Sequence, residues 1–223
     1  MKRVIIIGTM ADLEQALKKN SLLSQCRPDE LLFSLVEYVS GSRVLTTYEG
    51  ESAIGLVVSG CVNVYSVSGD GFRICLTTHS MGDCFGIAAI FTGEGPNTVL
   101  ECAGKTTVAY LSHTNFIDML DSHPYLLKAY SLLLNQKIAF LTQKIEFLTM
   151  PSCKARLASY LLKNEDKGVV NLTVSKELLA QIIGVSRASL FREFSQMGEA
   201  GLICVKGKRI DLLDRERLYD LIK

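Results

Sequence analysis

The sequence predicts an α+β chain in three successive parts, on three observations. From Arg43 to about Leu111 the apolar period is two, and Gly50, Gly60, Gly69 with Gly71, and Gly82 cut the run at roughly the 8–12-residue spacing of a β-sandwich or barrel. From Pro124 to Met150 the apolar positions recur at alternating steps of four and three, a heptad seam in one long helix. From Ser175 to Met197 two short helices flank a glycine turn, with a hairpin after them.

Composition sets the bounds. A chain of 223 residues, 48% hydrophobic and 21% charged, is large enough to bury a sizeable core as one large or two small domains. It holds no apolar run of about 20 residues, and the N-terminal VIII is too short for a signal-peptide core, so no membrane partner and a cytoplasmic location are expected. The net charge of +1 is uneven. Residues 1–148 hold 11 Lys and Arg against 14 Asp and Glu, giving −3, whereas residues 149–223 hold 13 against 9, giving +4. The C-terminal part is the better partner for a polyanion. Cys26, Cys61, Cys75, Cys84, Cys102, Cys153 and Cys204 are scattered without a CxxC pair. They read as reduced thiols, a redox or metal role for one pair being the alternative.

In chain order, residues 12–20 and 28–39 are expected as short helices. Pro28 with Asp29 and Glu30 makes a good first turn, since carboxylates suit the positive end of the helix dipole. Leu31, Leu32, Leu35 and Val36 would form the apolar face. The β region follows, with SGDG as the turn between residues 62–67 and 72–77. A jelly roll can house a cupin-type metal site, but the histidines His79, His113 and His123 include no HxH pair. Neither a GxSxG elbow nor a GxxxxGK loop is present. No catalytic residue and no metal ligand is therefore assigned.

Pro124 can open the long helix, where its missing N–H costs nothing, and Pro151 stops it. Its seam is Leu127, Ser131, Leu134, Ile138, Leu141, Ile145 and Leu148. One alternative is a single amphipathic helix packed on its own domain. A dimer helix is preferred, because the segment far exceeds the ~11–12 residues of a typical helix. Residues 152–163 then form a helix, and VVNLTV a short strand. Ser175 can cap the next helix, Ala180 is small enough for a close crossing, and Gly184 supplies the left-handed turn residue. Ser186 caps the second helix, which puts Arg187, Ala188, Ser189 and Arg192 near its exposed N-terminal half. Residues 202–213 read as a hairpin with Lys206-Gly207-Lys208 at its tip.

Gly50-Glu51, LVVSGCVNVY and MGDCFG, followed by the long helix and this C-terminal pattern, resemble the Crp/Fnr family of bacterial transcription regulators over nearly the whole chain. The resemblance implies a β-roll sensor domain at 1–122 with flanking helices, a dimerisation helix at 123–150 and a winged helix-turn-helix DNA-binding domain at 151–223. It implies a non-enzymatic homodimer that binds double-stranded DNA, with RNA polymerase as a further partner. Two half-sites would lie about one helical turn, ~34 Å, apart.

In cyclic-nucleotide-binding members, the segment after Phe-Gly carries a Glu for the ribose and an Arg for the phosphate. Here Gly86, Ile87, Ala88, Asn97 and Thr98 occupy that region as candidate effector contacts. Ile87 stands where the Glu would be, Asn97 about where the Arg would be, and no Lys or Arg lies between Arg73 and Lys105. Burying a phosphate without a cation costs several kcal/mol, so cyclic AMP or GMP is not the expected effector. A hydrophobic or uncharged small molecule, or a segment that merely fills the roll, are the two alternatives. Haem and an iron–sulfur cluster are not supported, only Cys26 lying near the N-terminus.

In the reader, Arg187 and Arg192 match the family's two arginines that read guanine or grip phosphate. Many members carry a Glu where this chain has Ala188, which cannot accept a hydrogen bond but could touch a thymine methyl. Ser186, Ser189 and Lys176 are candidate phosphate contacts. Lys206 and Lys208 either touch phosphate from the wing or are simply solvated. The rival expectation is a ligand- or redox-sensing protein that acts through protein contacts rather than DNA.

Overall fold

A computed structural model describes residues 8–26, 31–93, 95 and 97–222. The chain forms two compact units, residues 1–67 with 76–140, and residues 68–75 with 141–223.

The first unit opens with α1 (Gly8–Lys19), whose Leu13, Ala16 and Leu17 are buried. Lys18 and Lys19 sit in its last turn, where cations suit the negative end of the dipole. Asn20 ends the helix and is itself buried. Its Nδ2 donates to the Gly82 carbonyl at 2.7 Å, and its Oδ1 accepts from the N–H groups of Leu22 and Leu23 at 3.0 and 2.8 Å.

The helix expected at 28–39 is not what forms. Pro28, Asp29 and Glu30 lie outside the described residues, and Ser34–Tyr38 is a strand, β1. It runs antiparallel to Thr106–Ser112, with Leu35 opposite Ala109 and Val36 opposite Val108. The reason is two-sided burial. Phe33 and Leu35 pack against one core, Val36 and Tyr38 against another. Only an alternating strand serves both, and pairing across the chain outweighs local helix propensity.

The following strands are β2 (Arg43–Val44), β3 (Thr47–Tyr48), β4 (Glu51–Ser59), β5 (Val62–Val67), β6 (Arg73–His79), β7 (Cys84–Phe85), β8 (Thr98–Cys102) and β9 (Thr106–Ser112). One sheet runs β1-β9-β4-β3 with β7 beside β4, and the other runs β2-β8-β5-β6. The SGDG turn joins β5 to β6 as expected, with the Ser68 N–H donating to the Phe72 carbonyl at 3.0 Å. The β-roll core contains Val44, Val57, Val62, Val64, Phe85, Leu100, Val108 and Tyr110. The other faces of β4 and β9, with Ile54, Leu56, Val58, Ala109 and Leu111, meet α1 and two later helices. Those helices are α2 (His113–Ser122), which contributes Phe116 and Met119, and α3 (Pro124–Leu148), which contributes Leu126, Tyr130 and Leu133. Helix α3 starts at the expected proline and ends two residues before Met150.

The C-terminal elements are α4 (Cys153–Lys163), β10 (Val169–Asn171), α5 (Lys176–Ile183), α6 (Arg187–Glu199), β11 (Ile203–Lys206), β12 (Arg209–Leu212) and α7 (Arg215–Asp220). Ser152 caps α4 by accepting from the Ala155 N–H at 3.0 Å. A three-stranded sheet of order β10-β12-β11 closes a core that includes Leu157, Leu161, Leu179, Leu190, Met197 and Ile210. Among the described residues, no helix is long and apolar enough to cross a membrane, and no group of three or more His, Cys, Asp or Glu residues could hold a metal ion.

Candidate nucleic-acid interface

Helices α5 and α6 are built by the caps that the sequence carries. The Ser175 side chain accepts from the Leu178 N–H at 3.1 Å, and Ser186 does the same for Ser189 at 3.1 Å. The two hydroxyls of Ser186 and Ser189 also share a hydrogen bond of 2.9 Å. Between the helices, Gly184 has φ +73, a left-handed conformation that costs an L residue about 1–2 kcal/mol. A Cβ there would also lie 3.0 Å from Leu148 Cδ2. Ala180, Ile183, Leu190, Phe194 and Met197 face inward, so one stripe of α6 is core.

The opposite stripe is open. Ser186, Arg187, Ala188, Phe191, Arg192 and Ser195 are exposed along it, and Ser189 is half-buried beside the cap. The Arg187 guanidinium lies 5.5 Å from the centre of the Phe191 ring. Lys176 Nζ, from the first position of α5, lies 5.2 Å from that ring and 5.7 Å from the ring of Phe194. Phe191 was not singled out by the sequence reading, although an aromatic four residues after Arg187 and off the core spacing was the signal for it.

The hairpin wing forms as β11 and β12, with Lys206 opposite Arg209. Lys206 pairs with Asp211 at 3.6 Å, and Arg209 Nε donates to Asp211 Oδ1 at 2.7 Å. The Arg209 hydrogen bond, with the two nearby cations, holds the Asp211 carboxyl below its usual range. Lys208 is exposed at the tip. Arg209, exposed at the start of β12, is a further wing cation beyond the sequence-predicted contacts Lys206 and Lys208.

The effector candidates lie in the first unit. Gly86 has φ +79, and a Cβ on it would lie 2.2 Å from the Ala53 carbonyl oxygen. A 3-10 turn, Ile87–Ala89, follows. The Ile87 side chain packs into the core, and its carbonyl accepts from the Tyr130 hydroxyl at 3.0 Å. Ala88 and Asn97 are exposed, and half-buried Thr98 opens β8.

The seam residues of α3 are mostly open in the single chain. Leu127 is 55% exposed, Ile138 62%, Leu141 48% and Ile145 63%. Ser131 is exposed and donates to the Leu127 carbonyl at 2.9 Å. Leu134 instead packs partly against the first unit's core. Leu148 turns toward Gly184, Phe147 packs on the C-terminal core, and Lys144 Nζ donates to the Ile182 carbonyl at 3.1 Å. Burial pushes the Lys144 ammonium down from its ordinary value.

Two domain families match the chain, a cyclic nucleotide-binding domain over residues 35–123 and a Crp-like helix-turn-helix domain over residues 155–221. The cAMP-activated global transcriptional regulator CRP of Pasteurella multocida is 23% identical over 183 residues, 78% of this chain and 87% of that protein. The global nitrogen regulator of Synechococcus elongatus is 23% identical over 209 residues, 88% of this chain and 94% of that protein. The structure of FixK2 from Bradyrhizobium japonicum has the same fold, with a TM-score of 0.67 at 20% identity, covering 86% of this chain and 98% of that one. A sensor-type roll followed by a helix-turn-helix, matched in that order along the chain, places this protein in the Crp/Fnr family of DNA-binding transcription regulators, a family without enzymatic activity.

Proposed function

We propose that the protein is a cytoplasmic homodimer that reads a two-fold operator with the open stripe of α6 and answers to an effector other than a cyclic nucleotide. The observation that carries the reading is the pairing on α6 of a filled core stripe with an exposed stripe of Arg187, Ala188 and Arg192. Arginine fits guanine O6 and N7 with two parallel donors, worth about 1–3 kcal/mol of discrimination. Ser186, Ser189 and Lys176 fix register through phosphate, and Lys206 and Lys208 extend the contact from the wing. The exposed apolar positions of α3 give two copies a seam of the kind coiled helices bury. RNA polymerase is the further partner through which bound protein would act on transcription.

Against a cyclic nucleotide stand the residues themselves. Gly86, Ile87, Ala88, Asn97 and Thr98 bring no cation, Ile87 is committed to the core, and the stretch between Arg73 and Lys105 holds no Lys or Arg. A buried cyclic phosphate would have no fixed positive partner from this segment.

Selection of a duplex from a randomised pool tests the proposal. The wild-type chain should enrich a two-fold site, and Arg187→Ala should lose discrimination at one base pair per half-site by about tenfold or more while remaining dimeric in sedimentation. Specific binding indifferent to both Arg187→Ala and Arg192→Ala would reject the assignment. Titration with cyclic AMP and cyclic GMP by calorimetry should yield no heat of tight binding; micromolar binding of either would reject the effector reading.

A further inference from the structure

Phe191 is an exposed aromatic on the one face of α6 that the fold does not need. Core positions Leu190, Phe194 and Met197 already fill the inward stripe, and Phe191 keeps 40% of its surface open. In a helix, residues three and four apart are neighbours. Phe191 therefore touches the territory of Arg187, four before it, and of Ala188, three before it, while Arg192 stands four after Ala188. The exposed face thus reads cation, methyl, ring, cation.

We infer that Phe191 and Ala188 form an apolar strip that reads the C5-methyl group of thymine between the guanine-reading arginines. The inference rests on α6 being the DNA-contacting helix. In the major groove thymine differs from the other bases by this methyl, and only an apolar surface gains from touching it. Two features of the site favour that surface. Ala188 offers no acceptor that would compete for a cytosine or adenine amino group. The Phe191 ring also lies within cation–π distance of two side chains, with Arg187 at 5.5 Å and Lys176 at 5.2 Å from its centre. With 40% of its surface open, the ring has apolar area to present to the groove. The operator should carry a thymine beside the guanine read by Arg187.

The test uses the full chain and the duplex selected above. Each thymine is replaced in turn by deoxyuridine, which removes the methyl and leaves every hydrogen-bonding group in place, and affinity is measured by fluorescence anisotropy. At one thymine per half-site the wild-type protein should lose about fourfold in affinity, the equivalent of about 0.8 kcal/mol for one buried methyl-sized group. Phe191→Ala should erase that penalty and keep its dependence on Arg187. Phe191→Leu, which retains apolar bulk but no ring face, should keep the penalty. An equal penalty in wild type and Phe191→Ala, or none at any thymine, overturns the inference while leaving α6 as the reader. Loss of the penalty in Phe191→Leu as complete as in Phe191→Ala also overturns it, since the ring would then act only by positioning Arg187. Failure to enrich any duplex, or binding indifferent to Arg187, rejects the reader itself.

Discussion

Ser186 does two jobs that can be separated. Its hydroxyl oxygen caps α6, and its place at the helix start puts it beside the surface read as the DNA contact. Ser186→Ala should cost about 1 kcal/mol in urea unfolding, the usual cost of a lost cap. Ser186→Asp should recover that stability, because a carboxylate caps as well, yet weaken duplex binding by setting a negative charge against phosphate. Equal DNA affinity in the two variants would count against placing this end of α6 at the backbone. His79 is a second residue with a defined signature. It is buried against Phe85, with ring centres 6.3 Å apart. Burial, with nearby Lys137 and against the pull of Asp83, brings its pKa from 6.5 to about 4. The folded ring stays neutral while the unfolded one gains a proton below pH 6.5, so the unfolded state binds more protons in that window. Stability should fall as pH drops from 6.5 toward 4, by about 3 kcal/mol from this group. His79→Gln should flatten the urea midpoint over that range; an unchanged slope would refute the assignment.

Elements whose reasons are local were legible in the sequence. Ser152, Ser175 and Ser186 start helices, Pro124 opens one, and SGDG closes a hairpin, each through atoms within four residues. The strand Ser34–Tyr38 was not legible, because its cause is the opposite strand Thr106–Ser112, about seventy residues on, and two cores that exist only after folding. Strand β7, only two residues long, is likewise set by its pairing with β4 rather than by a local pattern. At the site, exposure of Arg187 and Arg192 follows from helical spacing, whereas the approach of Lys176 to Phe191 joins two helices and exists only after folding. The long helix adds a prediction of its own. Ser131 is an exposed polar position in an apolar seam, bonded back to the Leu127 carbonyl. Ser131→Leu should tighten self-association by about tenfold or more in sedimentation equilibrium, since burying a leucine is worth about 1.5–3 kcal/mol. It should also change how strongly any effector alters DNA affinity. Unchanged association would place the seam elsewhere on the helix.

For the whole molecule, the order of parts supports the proposed mechanism. A family sensor fold precedes the helix and a DNA-reading fold follows it, and the helix lends core residues to both: Leu126, Tyr130 and Leu133 to the first unit, Phe147 to the second. An effector can alter DNA affinity only by as much as it binds one arrangement better than another, so its contacts must differ between the two states. The Tyr130 hydroxyl on the Ile87 carbonyl is one bond through which the roll's short turn and the helix meet within the first unit.

In the proposed homodimer, the open leucines and isoleucines of α3 would tie the regulator to gene dosage. With two copies closing over that stripe, the competent species forms in proportion to the square of the free chain while single chains predominate. Halving expression would then cut operator-ready protein fourfold, and doubling it would raise it fourfold. A regulator of the proposed dimeric kind would respond to its own supply more steeply than in proportion, independently of any effector.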